Sequence, residues 1–158
     1  MRKLFSLLVV LLVAAQFAVA ESETKRYLYM STPDGAQKEG ASDPGIMIFD
    51  IDDGHKFVRR IDIPIFEEGL RGFAGNLKTH SVYYSTTNRR VGAFDLETEK
   101  VVWEKTYEQG ADRSSITMDG KKIYVPTGWW YKGEDSGMLV LNAENGEMTD
   151  WIKVGPQA

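Results

Sequence analysis

The chain of 158 residues contains no cysteine and only two histidines. Without cysteine it has neither a disulfide framework nor a cysteine that could carry a lipid, so the fold must be held by its core alone. Nineteen basic residues stand against 23 acidic ones, which gives a net charge of −4. Because binding to nucleic acid requires excess positive charge, the chain is a poor candidate for a general nucleic-acid-binding protein.

Helical patterns are also missing from the sequence. Nothing after residue 20 carries a convincing apolar stripe with a period of 3.6 residues, so we expect little helix. Short apolar runs alternate instead with turn signals such as Pro33-Asp34-Gly35 and Asp119-Gly120. This pattern predicts one all-β domain.

The first twenty residues have the parts of a secretory signal peptide. Arg2 and Lys3 precede an apolar run over residues 4–13, and Ala18-Val19-Ala20 is a pattern that signal peptidase accepts. We expect cleavage after Ala20 and export of residues 21–158 to the periplasm or the cell exterior, with no stable membrane span left. Removal of Arg2 and Lys3 with the signal peptide would leave 17 basic and 23 acidic residues, a net charge of −6. The alternative is an uncleaved anchor, for which this apolar segment is at the short limit.

One turn motif occurs three times, beginning at the anchor residues Asp50, Asp95 and Asn142. A large apolar residue precedes each anchor, an acid follows two places later, and glycine, glutamate or glycine stands four places later. The anchors are 45 and 47 residues apart. A repeat of this length with short strands is typical of four-stranded propeller blades. A single β-sandwich, the competing all-β fold, would not require the same turn at equal spacing.

The repeat divides residues 21–158 into predicted blades at about 26–65, 69–108 and 111–155. The first has three predicted strands and the other two have four antiparallel strands each. The continuous apolar run at 46–49 predicts a strand that is covered on both faces, and residues 91–96 are expected to form the corresponding buried strand of the next blade. Complete propellers close about 4 to 8 blades into a ring. We therefore expect an incomplete set of about three blades, the N-terminal part of a larger ring.

Two sets of residues carry a family resemblance. Tyr124-Val125-Pro126-Thr127 is similar to the recurring strand of YVTN-type β-propellers, and residues 93–103 resemble the docking motif A-x-D-x-x-T-G-K-x-x-W of quinoprotein-type propellers. Glu99 replaces the glycine of that motif, and in the last copy Trp151 is displaced by one place. The residues that match it are Ala93, Asp95, Thr98, Lys100 and Trp103.

The resemblance covers residues 26–155 and implies a WD-like repeat protein that serves as a ligand-binding or protein-binding scaffold. The alternative that it implies is a quinoprotein-like or lactonase-like enzyme, whose catalytic residues would lie partly in blades absent from this chain. Such propellers serve many roles, so the resemblance predicts the fold more firmly than the function.

Connectivity places the candidate binding residues on one face. In a four-stranded blade, connections from an outer strand to the next inner strand emerge beside the loops between the second and third strands. Arg71 and Arg113 precede successive inner strands, and Trp129 and Trp130 lie in a loop of the second kind. These four residues predict a site for an anionic small molecule or a protein partner. The alternative is that the arginines pair with carboxylates such as Asp112 and the aromatic residues pack locally.

Other candidates for chemistry have structural interpretations. His55 and His80 lack a second ligand at metal spacing. Residues 50–54 resemble the start of a calcium loop, but the required acid at its twelfth position is missing, so we interpret them as a hairpin turn. Trp103 and Trp151 are expected to pack between blades. The sequence gives no evidence for a cofactor or a metal site.

Overall fold

The computed structural model describes residues 24–32, 45–63, 69–128, 131, 133 and 135–155. Within these ranges the chain forms strands and turns, and none of the described residues belongs to a helix that could cross a membrane. The signal peptide predicted at residues 1–20 lies outside the described residues. In chain order the strands are β1 (Tyr27–Thr32), β2 (Gly45–Asp50), β3 (Lys56–Asp62), β4 (Leu70–Asn76), β5 (Ser81–Thr86), β6 (Arg90–Asp95), β7 (Lys100–Thr106), β8 (Ser115–Ile116), β9 (Lys122–Pro126), β10 (Ser136–Asn142) and β11 (Met148–Gly155).

The strands form three antiparallel sheets, each built from one repeat. Blade 1 has the order β1-β2-β3, blade 2 the order β4-β5-β6-β7 and blade 3 the order β8-β9-β10-β11. This confirms the predicted all-β fold with an incomplete set of blades. Strand β8 has only two residues, because Thr117 Oγ1 already accepts the amide N–H groups of Lys121 and Lys122 in the following turn.

The blades pack face to face through two apolar clusters. Blade 2 lies between the other two, and its strand β5 is buried at every position. In β2 only one face is covered, since Met47 and Phe49 are half-buried, so the expected burial of 46–49 on both faces is wrong. The cluster between blades 1 and 2 includes Ile46, Ile48, Tyr84 and Phe94, and the cluster between blades 2 and 3 includes Tyr83, Val91, Leu139 and Leu141.

The repeated anchor residues cap the turn between the last two strands of each blade. Asp95 Oδ1 accepts the amide N–H groups of Glu97 at 3.0 Å and Thr98 at 2.6 Å. Asp50 and Asn142 accept equivalent bonds in the other two blades. A short carboxylate or amide side chain is needed for this local bond, which explains why aspartate or asparagine recurs at the anchor.

Each of these turns ends with a left-handed residue, which we call the turn position. It is His55 in blade 1, Glu99 in blade 2 and Gly146 in blade 3, with φ of 63°, 53° and 71°. In blade 1 the turn position is five residues after the anchor, against four in the other two blades, and Gly54 is left-handed as well. Glycine is common there because it adopts positive φ without steric cost.

Each outer strand also has one position that faces the next blade, which we call the docking position. It is occupied by Arg59, Trp103 and Asp150, each opposite the residue two places before its anchor. A register irregularity separates this pair from the next one in all three blades. The three outer strands are therefore equivalent along the sheet although the turn lengths differ.

Trp103 joins blade 2 to blade 3 through the turn position. Its Nε1 donates to the carbonyl of Ala143 at 2.9 Å, and a Cβ on Gly146 would lie 2.5 Å from Cε3 of its ring. The hydroxyl of buried Tyr107 donates to the carbonyl of Gly146, and burial raises the pKa of Tyr107. The predicted packing of Trp103 between blades is confirmed.

Trp151 behaves differently because it lies one residue beyond the docking position. It is opposite Leu139, and a shift of one residue turns a side chain to the other face of a strand. Its ring meets Tyr131 edge to face at 6.0 Å, and its Nε1 would lie 2.5 Å from a Cβ on Gly137. These contacts are within blade 3, which differs from the prediction that Trp151 packs between blades.

Candidate functional site

Connections and hairpin turns gather at opposite ends of the blades. Thr87, between β5 and β6, donates its amide N–H to the carbonyl of Gly69, just before β4, at 2.9 Å. At the other end Leu96, after β6, donates to the carbonyl of His80, just before β5, at 2.9 Å. The end with the connections between blades is called the loop face, and its described residues include 69–71, 87–89, 109–113 and 126–128.

Arg71 and Arg113 meet at Asp112 on the loop face. Arg71 Nη2 lies 3.6 Å from Asp112 Oδ1, and Arg113 Nη1 lies 3.4 Å from Asp112 Oδ2. The structure thus brings together the two predicted site residues, and it also forms the pairing with Asp112 that the sequence left open. Two guanidinium groups share one carboxylate, so the cluster retains an excess positive charge.

The two arginines differ in exposure. The side chains of Arg71 and Asp112 are each 21% exposed, whereas that of Arg113 is 77% exposed. Asp112 Oδ1 is buried and has no hydrogen-bond partner among the described residues, so Arg71 is its nearest charge compensation. Because a buried carboxylate left without its cation is costly, Arg71 stabilises the junction between blades 2 and 3. Arg113 presents most of its side chain to solvent.

Close packing fixes the backbone under this cluster. The hydroxyl of Ser85 donates to the carbonyl of Asp112 at 2.5 Å. A Cβ on Gly72 would lie 2.6 Å from Ser85 Oγ and 2.7 Å from the backbone nitrogen of Ser114, so only glycine fits there. The sequence did not point to Gly72 or Ser85. Both contact residues 112–114 of the next blade, and a contact between blades cannot be predicted from a local sequence pattern.

The aromatic part of the predicted site is only partly described. Trp129 and Trp130 lie outside the described residues, and their place in a site stays a prediction. Tyr131, from the same loop, is half-buried and packs on Trp151 of the outer strand β11. Its amide N–H donates to the carbonyl of Gly128 at 2.9 Å, which ties this part of the loop to the loop face.

The two histidines lie in turns. His55 and His80 are both left-handed, and His80 Nδ1 lies 3.6 Å from a carboxylate oxygen of Glu97. Among the residues that the structure describes, no group of three histidine, aspartate or glutamate side chains is arranged to hold a metal ion.

A polar groove of about 370 Å³ lies at the turn end of blade 1. Arg26 bonds there to the carboxylate of Asp52, and this hydrogen bond lowers the pKa of Asp52. Cationic and acidic side chains are mixed in the groove, so it does not favour a ligand of one charge. Its lining residues are Thr24, Lys25, Arg26, Asp50, Asp52 and Asp53.

Comparison with known proteins gives information on the fold alone. No family model and no curated protein matches this chain. Among solved structures it is similar to Sqt1 of Saccharomyces cerevisiae, a WD40 β-propeller protein, with a TM-score of 0.57 and 11% sequence identity. The match covers 80% of this chain and 30% of that one. The chain therefore consists of propeller blades and spans under a third of that protein, whereas a YVTN or quinoprotein type of repeat stays a prediction.

Proposed function

We propose that this chain is part of an exported β-propeller that acts as a binding scaffold, and that its loop face recognises an acidic group on a protein partner. The contrast between the two arginines carries this proposal. The side chain of Arg71 is largely buried against Asp112. The guanidinium of Arg113 also contacts that carboxylate, but the Arg113 side chain is 77% exposed. A positioned but accessible guanidinium suits a carboxylate or phosphate, with which it can form two parallel hydrogen bonds.

Charge and shape favour a protein partner over a small anion. The exported chain is acidic, so an excess positive charge at Arg113 is a local feature that would attract an acidic patch. Small anions are usually held in concave pockets that cover most of their surface. Arg113 lies on an exposed rim, which is where charged side chains meet in protein interfaces. Trp129 and Trp130 supply aromatic surface to the same interface in this proposal.

The test separates binding from stability by changing each arginine alone. Arg113→Gln should weaken binding of the protein to an immobilised poly-glutamate surface several-fold, while the free energy of unfolding changes by less than about 0.5 kcal/mol, as at other exposed sites. Arg71→Gln should instead destabilise the fold by about 1 to 3 kcal/mol, because it leaves Asp112 Oδ1 without compensation. Binding is measured by surface plasmon resonance at several salt concentrations, and stability by urea unfolding.

The matched control is Lys105→Gln, which removes one exposed positive charge from the outer strand β7. Its effect on binding should be small. If Arg113→Gln and Lys105→Gln weaken binding equally, the protein responds only to total charge and the proposed role of Arg113 is wrong.

A further inference from the structure

The turn of blade 3 contains a pair of residues that is chemically disposed to deamidation. Asn145 precedes Gly146, and this is the one Asn-Gly pair among the four asparagines of the chain. The backbone nitrogen that follows an asparagine can attack the side-chain amide, and glycine lacks the Cβ that would hinder its approach. The pair therefore holds both reacting groups of a modification that needs no enzyme.

The reaction has two steps. The backbone nitrogen of Gly146 gives up its proton to a base in solvent and attacks Cγ of Asn145. A nitrogen–carbon bond forms, and the side-chain nitrogen takes a proton and leaves as ammonia, so that a cyclic succinimide remains. Water then opens the ring at either carbonyl. One product is an ordinary aspartate, and the other is an isoaspartate linkage that adds a methylene group to the backbone.

The folded turn prepares the carbon and restrains the nitrogen. The amide N–H of Glu147 donates to Oδ1 of Asn145 at 2.9 Å, which polarises the carbonyl that would be attacked. The N–H of Gly146 donates to the carbonyl of Asn142 at 2.8 Å. Because the nitrogen attacks only after it has lost its proton, this second bond has to break before the ring can close.

Contacts from blade 2 keep Gly146 in place. Gly146 is buried, although Asn145 before it is exposed. A Cβ on Gly146 would lie 2.5 Å from Cε3 of Trp103, and the hydroxyl of Tyr107 donates to the carbonyl of Gly146. These contacts oppose any rotation of the backbone around Gly146. Ring closure therefore requires a local separation of blades 2 and 3.

Blade 1 has a comparable turn without this cover. Asp53 and Gly54 stand three and four places after their anchor, as Asn145 and Gly146 do after theirs. Both glycines are left-handed, with φ of 62° for Gly54 and 71° for Gly146. A Cβ on Gly54 would meet no atom within 4 Å, in contrast to the close ring at Gly146. The molecule thus contains an uncovered counterpart with which the covered turn can be compared.

We propose that Asn145 is a deamidation site that the contact between blades 2 and 3 keeps closed. Water is the co-reactant, and the reaction proceeds when Trp103 and Tyr107 move away from Gly146. Native proteins open locally in this way, and the frequency of opening follows the stability of the unit that opens. The extent of deamidation at Asn145 therefore records how often the two blades separate.

The modified turn cannot restore the original contact. An isoaspartate linkage lengthens the backbone before Gly146 and so displaces this glycine from the ring of Trp103. Either product also adds a negative charge between Glu144 and Glu147, two exposed acids, and like charges repel one another. Deamidation consequently acts in one direction, since an opened contact becomes a weakened one.

The test measures the rate of deamidation by mass-spectrometric peptide mapping of the full chain at mildly alkaline pH. Asn145 in the folded protein should react at least about tenfold more slowly than in a synthetic peptide of residues 142–148, because only the opened fraction reacts. Trp103→Ala should remove most of this protection, whereas Val102→Ala, at the exposed neighbour, should leave it unchanged. Asp53→Asn creates the same Asn-Gly pair in the uncovered turn of blade 1, where it should react at close to the rate of the peptide.

Circular dichroism checks that each variant is folded. If Trp103→Ala unfolds, Tyr107→Phe takes its place, because it removes only the hydrogen bond to the carbonyl of Gly146, and a smaller acceleration is expected. The proposal is overturned if Asn145 in the folded wild type reacts as fast as the peptide, or if the folded variant reacts no faster than the wild type. Equal protection of the new site in Asp53→Asn would also overturn it, since any folded turn would then suffice.

Discussion

Asp95 shows how a single side chain defines a turn in this protein. Hydrogen bonds from the backbone and the hydroxyl of Thr98 lower the pKa of Asp95 from its ordinary value of 3.8. Since the folded pKa is the lower one, the stabilisation is fully present above pH 3.8 and is lost as the pH falls through the folded pKa. Asn142 caps the equivalent turn of blade 3 with an amide, which does not titrate.

We therefore expect Asp95→Asn to keep the turn and to lose part of the acid sensitivity. Asp95→Ala should lower the melting temperature at neutral pH, because no side-chain oxygen remains to accept the bonds from residues 97 and 98. Thermal melts of both variants and the wild type between pH 7 and pH 3 measure this. The pKa assignment is wrong if the asparagine variant loses as much stability in acid as the wild type does.

At the scale of the element, the outer strand β7 acts as the link between blades 2 and 3. Trp103→Ala should cost about 3 kcal/mol, because it removes a large partly buried ring and leaves a cavity. Trp103→Phe should cost about 1 kcal/mol, since a ring is kept while the hydrogen bond to Ala143 is lost. Urea unfolding gives both values.

Gly146→Ala tests the other side of the same contact. Alanine at a φ of 71° is strained, and its Cβ would clash with Trp103, so we expect a loss of about 2 kcal/mol. Val102→Ala, at the exposed neighbour of Trp103, is the control and should cost less than 0.5 kcal/mol or so. Equal effects of Trp103→Ala and Val102→Ala would show that the ring does not hold the two blades together.

Local patterns were sufficient to predict the elements. The anchor aspartates, the left-handed glycines and the apolar runs act within a few residues of chain, so β2, β6 and their turns follow from the sequence. Trp151 was expected to pack between blades, but its ring meets Tyr131 within blade 3, because it lies one residue beyond the docking position and the sequence does not mark the bulge that sets this register. The bridge from Arg71 to Asp112 joins two blades, so the sequence could offer it only as an alternative.

At the scale of the whole molecule, the predicted signal peptide can be tested directly. Cleavage after Ala20 should leave Glu21 at the N-terminus, because the small-x-small pattern and the change to polar residues coincide there. N-terminal sequencing or intact mass of exported material measures it. A product that still begins at Met1 would support the anchor instead, and Ala20→Lys, which removes the small residue at the site, should block cleavage of a true signal peptide.

The irregularity that the three outer strands share has a consequence for how such a chain can evolve. The bulge skips one residue at the same place in each outer strand, so the extra residue in the turn of blade 1 leaves the pairs on either side of the bulge in the same register. A repeated blade can therefore gain or lose residues in its turn while the pairing of its strands is unchanged. The anchors are spaced unevenly, by 45 and 47 residues, yet the docking position has the same partner position in all three blades.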